Sequence, residues 1–330
     1  MIRQNNSHFC KNCLRWSHAK YRGIESKFVK NVWLCKSCCR DNFPFSDFEP
    51  EPLRTGSDLS NLKSYFNRLN TTSANDEDLD HADISYINCK YYSCDEFLSI
   101  PSKDKSLSFF HSNISSLEKH FDEFTNLFER LNHSFDIIGV SETRLSSSSA
   151  GNTSLPGYFF LGVSSESIAG GVGLYISAKI TFKPRTDLSK ILYSSTNLES
   201  IFIELIFKGK ENIIVGCVYK HPSFNIDDFN TYYLSPFLSK LNKEEKSIVL
   251  LGDFNINLLN CNSNCGSSSF LDLLGSCQIL PFITLPTRIT AQSSTLIDNI
   301  FASPSPYSSI SGNLTTTSSN HLRQFLLLEK

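Results

Sequence analysis

The sequence predicts an α/β protein with a small cysteine-rich module ahead of it. Three observations carry that expectation. Short branched, apolar runs such as Ile248–Leu251 have the length of buried strands and stop at glycine or a polar residue. Between such runs lie segments with apolar residues at helical spacing. Ahead of both, Cys10-x2-Cys13 and Cys35-x2-Cys38 repeat one spacing.

Composition narrows the function classes. A chain of 330 residues, 40% of them hydrophobic, has room for one domain of about 200–250 residues and a smaller one. The net charge of -2 excludes the broad basic footprint of a tight, non-specific nucleic-acid binder. Contact with DNA is therefore expected to be local, through a cleft or a metal, or weak. No apolar run approaches the length that spans a bilayer, so no membrane partner is expected. The start, Met1–Cys13, has no apolar signal core, so the 11 cysteines read as reduced thiols or metal ligands.

Residues 1–45 are expected to form the cysteine module. Each CxxC offers two sulfurs on one face of a tight turn, and four thiolates suit one tetrahedral, structural Zn²⁺. With Trp16, His18 and Trp33 between the knuckles, the pattern resembles the second half of a PHD finger. On that resemblance Cys10, Cys13, Cys35 and Cys38 make one whole site. The second zinc site of such a finger is broken: Tyr21 stands where a cysteine would, leaving His18 as a packed or exposed histidine and Cys39 as a bystander. Residues 46–105 carry Asp/Glu clusters and scattered Ser and Asn, and read as an acidic, mostly disordered linker with one short helix over 59–69.

The large domain is expected over 106–330. Leu107–His111 is a strand candidate followed by Asn113. Ser115 or Ser116 is placed to cap a helix carrying Leu117, Phe121, Phe124, Leu127 or Phe128, and Leu131. Phe135–Thr143 is a buried strand that delivers Glu142, a suitable ligand for a hard cation. Gly170–Gly173 lacks the lysine of a phosphate loop and reads as a turn into a strand. Ser200–Phe207 and Ile213–Val218 form a hairpin that runs on to Tyr219-Lys220-His221-Pro222. A helix begins at Asp227 or Asp228, with Pro236 bending or splitting it.

The stretch Ser247–Leu259 then ends a buried strand in Gly252-Asp253-Phe254-Asn255. On extended backbone Asp253 and Asn255 point the same way, and hydrolysis of a phosphodiester uses such a pair to hold or deprotonate water. Taken alone, the four residues are as readily a strand-capping turn. Phe270–Leu274 reads as a short helix, Ser294–Phe301 as a strand with Asp298 inside it, and Ser319-Asn320-His321 as the head of the last strand. A buried carboxylate needs a partner, and His321 is a natural one for Asp298.

The ordered set Asn113, Glu142, Tyr219, Asp253, Asn255, Asp298 and His321 resembles the endonuclease/exonuclease/phosphatase superfamily, and most of all the endonuclease domain of jockey-like non-LTR retrotransposons. The resemblance implies a DNase-I-like four-layer sandwich of two mixed β-sheets flanked by helices. It also implies an endonuclease that nicks DNA with Mg²⁺ or Mn²⁺ at Glu142. Asp253 would activate the water with Asn255, Asn113 and Tyr219 would contact the phosphate, and Asp298 would orient His321. The finger would meet chromatin or a histone tail, and the substrate implies a nuclear location. Asn320 stands where the family has an aspartate that helps hold the metal, so weaker metal binding or a lower rate is expected. The family's Asn-x-Arg and Tyr-Arg-Pro-Pro are here Asn113-Ile114-Ser115 and Tyr219-Lys220-His221-Pro222. Ending at Lys330, the chain is expected to be truncated before a reverse transcriptase. Two alternatives stand beside the nuclease: a catalytically impaired DNA- or chromatin-binding remnant, and a phosphatase of the same superfamily.

Metal analysis of the purified protein should return about one zinc per chain, and none after Cys35→Ser. Two zincs would mean that His18 is a ligand after all.

Overall fold

The computed structural model describes residues 89–101, 106–145, 153–166, 169–290, 292–304, 308–315 and 320–329, and four short strands nearer the amino terminus. Those four form two antiparallel pairs in a unit of their own: β1 (Ser7–Phe9) with β2 (Trp16–His18), and β3 (Phe28–Val29) with β4 (Val32–Trp33). Cys10, Cys13, Cys35, Cys38 and the helix expected over 59–69 lie outside the described residues.

In the large unit the described chain starts with β5 (Cys89–Tyr92) and α1 (Cys94–Leu98). The linker expected to reach residue 105 therefore stops before Cys89. β5 escapes notice because four residues carry too little periodicity. The helix, however, has a sequence signal: Ser93 and Glu96 make a capping box. Next come β6 (Ser106–Asn113), α2 (Leu117–Leu131), β7 (Ile137–Ser141), β8 (Tyr158–Val163) and β9 (Val172–Ser177). Ser116 occupies the N-cap of α2, but its side chain makes no capping bond. Its backbone φ is 116° and its N–H is taken by Glu142 O.

The second half holds β10 (Phe182–Pro184), α3 (Thr186–Ser189), the hairpin β11 (Leu198–Leu205) and β12 (Ile213–Lys220), and α4 (Ile226–Asp228). A π-helical turn, Phe229–Leu234, leads into α5 (Ser235–Asn242). Pro236 lies in the first turn of α5, directly after the π-helical turn, where the run passes from one helix type to the other. Then follow β13 (Ser247–Asp253), α6 (Cys265–Gly275), β14 (Leu280–Pro281), β15 (Arg288–Ile289), β16 (Ser294–Thr295), β17 (Asp298–Ala302), β18 (Ser309–Leu314) and β19 (Arg323–Glu329). Asp298 opens β17 rather than lying inside a longer strand, because the expected run breaks between Thr295 and Asp298.

Among the described residues two mixed sheets result. One has the order β5-β18-β19-β6-β7-β9-β8, the other β10-β11-β12-β13-β17-β14. Each is built around a parallel pair, β6 with β7 and β12 with β13, joined by a helical crossover. The crossover helices cover the outer faces, which completes the four layers that the resemblance implied.

Alternation decides which face each residue serves. Phe109 of β6 points into the layer between the sheets, with Ile137, Leu174, Cys217 and Leu251. Its neighbour Phe110 points outward and packs edge-on against Phe124 and Phe128 of α2, at ring centroids of 6.4 and 5.1 Å. Beneath α5, Phe237 meets Phe202 at 5.0 Å. Both parallel pairs present their carboxyl ends to one edge, where Asn113 and Ser141 stand in register in one sheet and Tyr219 and Asp253 in the other.

Gly252 fixes how Asp253 arrives there. A Cβ on Gly252 would lie 2.1 Å from the carbonyl oxygen of Val218 in β12. Gly252→Ala should therefore force the two strands apart, lowering stability by about 3 kcal/mol in urea titrations. A loss within error would show that β13 can shift without cost.

Candidate active site

The site lies on the seam between the sheets, and hydrogen bonds across that seam assemble it. Asn113 ends β6. Its amide donates to Glu142 Oε1 at 3.0 Å and to Asp253 Oδ2 at 2.8 Å. Glu142 follows β7, whereas Asp253 ends β13 in the other sheet. One NH₂ group thus bridges two carboxylates that would otherwise repel. The Asn113 carbonyl accepts from the N–H of Ser115 at 3.2 Å, which fixes the amide's orientation. A second bond crosses the seam from the Tyr219 hydroxyl to Glu142 Oε1, at 3.3 Å.

A third crossing joins His321, just before β19, to Asp298 at the head of β17, with Nδ1 lying 3.0 Å from Oδ2. Asp298 is completely buried and also accepts from Thr287 Oγ1 at 2.8 Å. Thr287 in turn accepts the backbone N–H groups of Ile297 and Asp298. Ligand atoms of Asp253, Asp298 and His321 all lie within 4.8 Å of one another.

Asn255 reaches the site by another route than the sequence suggests. β13 stops at Asp253, and Asn255 has a left-handed φ of 49°. Its N–H donates to Asp253 Oδ1 at 3.0 Å, while its side chain donates to the carbonyl of Lys220 at 2.8 Å. It is an Asx-type turn that aims the carboxylate. The strand-capping and functional readings of this segment therefore coincide. Asn320 lies exposed beside His321, and its backbone carbonyl accepts from Ile289 N at 3.0 Å.

The electrostatics divide the carboxylates. Burial and the adjacent Asp298 push Asp253 well above the usual carboxylate range. Burial also opposes ionisation of Asp298, but His321 outweighs it and holds Asp298 low. Burial alone would lower His321. The Asp298 carboxylate reverses this and pushes it up to about 9. Glu142 is held low against its own burial by the hydrogen bonds from Asn113 and Arg144. Desolvation and the charges of Glu142 and Asp253 raise Tyr219, so its hydroxyl keeps its proton.

The ligand atoms of Asp253, Asp298 and His321 lie close enough together to hold a metal ion, and Glu142, tied to Asp253 through Asn113, adds an oxygen donor of the kind a hard divalent cation prefers. Glu142 would hold it, beside Asp253. With a cation bound there, the site would combine a proton acceptor, a Lewis acid and an imidazole, groups that hydrolysis of a phosphate ester can use.

Sequence reasoning missed a layer behind the site. His111, fully buried in β6, lies between Gln324 Oε1 at 2.8 Å and Ser141 Oγ at 3.2 Å. Burial keeps it neutral. Its signal was available, since polar His111, Ser112 and Asn113 end a strand that is buried throughout. Arg144 and Thr287 were also missed.

The model of the Endonuclease/Exonuclease/phosphatase family matches residues 108–321, more than half of the chain. No curated protein matches the sequence significantly. Among solved structures, the AP endonuclease LMAP from Leishmania major is 11% identical. The match covers 76% of this chain and 99% of that one, with a TM-score of 0.55. The 3'-5' exonuclease NExo from Neisseria meningitidis is 15% identical, covering 68% of this chain and 100% of that one at 0.51. The endonuclease domain of TRAS1, a telomere-specific non-LTR retrotransposon, is 10% identical and covers 68% and 98% at 0.48, a score that does not by itself establish a shared fold. At such identities the first two likenesses show the fold alone.

Proposed function

The chain belongs to the endonuclease/exonuclease/phosphatase family, and from that premise we propose that it is a DNA endonuclease that hydrolyses a phosphodiester with Mg²⁺ or Mn²⁺ at Glu142. The observation that carries the reading is the Asn113 amide held between Glu142 and Asp253, with the Asp298–His321 pair facing Asp253. The bound ion would supply Lewis-acid stabilisation of the phosphate's developing charge.

The chain's own residues do the rest. Asp253, aimed by Asn255 N–H and raised by its surroundings, takes the proton of the attacking water. Asp298 fixes His321 through Nδ1, so Nε2–H is the nitrogen that donates to a phosphate oxygen. Tyr219 keeps its hydroxyl proton, which it gives to Glu142 Oε1, and it would donate to phosphate only by releasing that bond. Both N–H bonds of Asn113 are engaged by carboxylates. Asn113 therefore acts first as the brace between Glu142 and Asp253, and touches phosphate only by giving one bond up.

The finer assignment is a non-LTR retrotransposon endonuclease acting in the nucleus, with Cys10, Cys13, Cys35 and Cys38 holding one Zn²⁺ in a partial PHD-type finger that meets chromatin or a histone tail. The order of the strings around Asn113, Glu142, Tyr219, Asp253, Asp298 and His321 supports it. A second reading, a DNA-binding remnant that no longer cuts, is favoured by one observation. Asn320 is an exposed amide and brings no charge to the site. A phosphatase is the weaker third reading.

Supercoiled plasmid with Mg²⁺ separates these readings. Wild type should yield relaxed circles and Asp253→Ala should lose at least 100-fold of that rate, in keeping with the roughly 10²–10⁴-fold worth of a positioned base. No nicking by folded wild type would leave the binding reading, and release of phosphate from a 3'-phosphorylated duplex without nicking would favour the phosphatase.

The pH profile should follow the histidine. His321 carries its proton up to about pH 9, so kcat/KM should fall as pH rises through that value. Asp298→Asn removes the charge that raises His321, and the alkaline limb should move down toward about 6.5, the ordinary imidazole value. An unmoved limb would assign it to another group.

A further inference from the structure

Backbone strain concentrates beside the proposed cation site. Glu142 and Arg144 both have left-handed φ, 52° and 51°. For non-glycine residues such backbone persists only when neighbours impose it, and it clusters where function needs a fixed side chain. Here Thr143 N donates to Gly171 O at 3.1 Å and Arg144 N to Gly170 O at 2.9 Å. Gly170 and Gly171 have φ of 146° and 86°, and a Cβ on Gly171 would meet Thr143 Oγ1 at 2.5 Å. Two glycines thus exist to seat the 142–144 turn.

What the turn presents is a guanidinium. Arg144 Nη2 donates to Glu142 Oε2 at 2.9 Å and to Ser115 Oγ at 3.3 Å, and the side chain is 37% exposed. Glu142 Oε1 is already committed to Asn113 and Tyr219. The carboxylate oxygen left for a cation is therefore the one that Arg144 covers. Lys220 on the same edge is buried, with its ammonium donating to the carbonyls of His221 and Phe224. Arg288, exposed in β15, is the bridge partner of His321 and lies beside that histidine rather than beside Glu142.

Resting on the hydrolase reading above, we propose that Arg144 exchanges partners. It covers Glu142 in the free protein, and once a divalent cation takes that carboxylate it grips a phosphate of the DNA backbone beside the scissile one. A partly exposed ion pair contributes little, so releasing it is easy. A guanidinium freed at the rim has the fork geometry that matches phosphate oxygens. Proximity makes the exchange a coupled one: cation and Arg144 compete for one oxygen, whereas cation and DNA help each other.

The test reads binding, not turnover. Mn²⁺ titrated calorimetrically into DNA-free protein should bind Arg144→Gln about 3- to 10-fold more tightly than wild type, because the competing guanidinium is gone. Glu142→Gln should abolish that binding. Duplex binding, followed by fluorescence anisotropy in Ca²⁺, should show a salt slope shallower by about 0.9 in Arg144→Gln, the loss of one phosphate contact. In EDTA the two proteins should bind alike. Arg144→Lys, which keeps the charge but loses the fork, should shift both quantities in the same direction by less, and it decides the matter if Arg144→Gln does not fold. Unchanged or weaker Mn²⁺ binding, or equal salt slopes in Ca²⁺, would overturn the exchange. A wild type that shows both shifts yet never nicks plasmid would sink the hydrolase reading and leave the exchange standing.

Discussion

One amide holds the site together. The NH₂ of Asn113 spends each of its protons on a carboxylate from a different sheet. Two carboxylates this close repel, and the donor between them is what makes the approach tolerable. Tyr219 to Glu142 and His321 to Asp298 cross the same seam. Neither sheet carries the constellation by itself. The position of every functional group therefore depends on how the two sheets pack through Phe109, Ile137, Cys217 and Leu251. A close-packed interior transmits displacements rather than absorbing them, so a shift deep in that layer would be felt at the seam.

The loops at the edge are under tension. Of the eight non-glycine residues with positive φ among those described, Ser115, Ser116, Glu142, Arg144 and Asn255 follow the strands that end at the site. Their backbone groups are stitched to one another, Ser116 N to Glu142 O at 2.8 Å and Leu117 N to Thr143 O at 2.9 Å. Hydrogen bonds of that kind hold a turn in a shape its residues do not prefer. The result is preorganisation: side chains meant for a substrate stay placed without it, and the surrounding fold carries the conformational cost.

These features were unequally legible in the sequence. Strand ends could be read because buried strands are apolar runs, and an Asp, Glu or Asn stopping such a run stands out. That logic found Asn113, Glu142 and Asp253, whereas Asp298 showed itself as a carboxylate among apolar neighbours, and the sheet edge brings all four together. It misjudged Asn255, where extended alternation was assumed for residues that turn. It passed over His111, Thr287 and Gln324, whose partners lie up to 213 residues away. A buried polar residue declares itself only once its partner is known. Cys89–Tyr92 was lost in an acidic stretch for a related reason. It pairs with Ser311–Leu314, far along the chain, and nothing local marks a strand whose stability comes from a neighbour more than 200 residues on.

The site's charges nearly cancel. Glu142 and Asp298 are held ionised, His321 and Arg144 sit against them, and Asp253 is pushed toward neutrality. The seam is thus near balance by itself, in a chain whose net charge is only -2. A long-range positive field is missing, so a polyanion is not drawn in from a distance. On the proposed reading it would be recognised at contact, by a cation held at the carboxylates and by cationic side chains at the rim such as Arg144. What the fold secures without any ligand is the convergence itself: Asp253, Asp298 and His321 within 4.8 Å, with Glu142 held to Asp253 through Asn113.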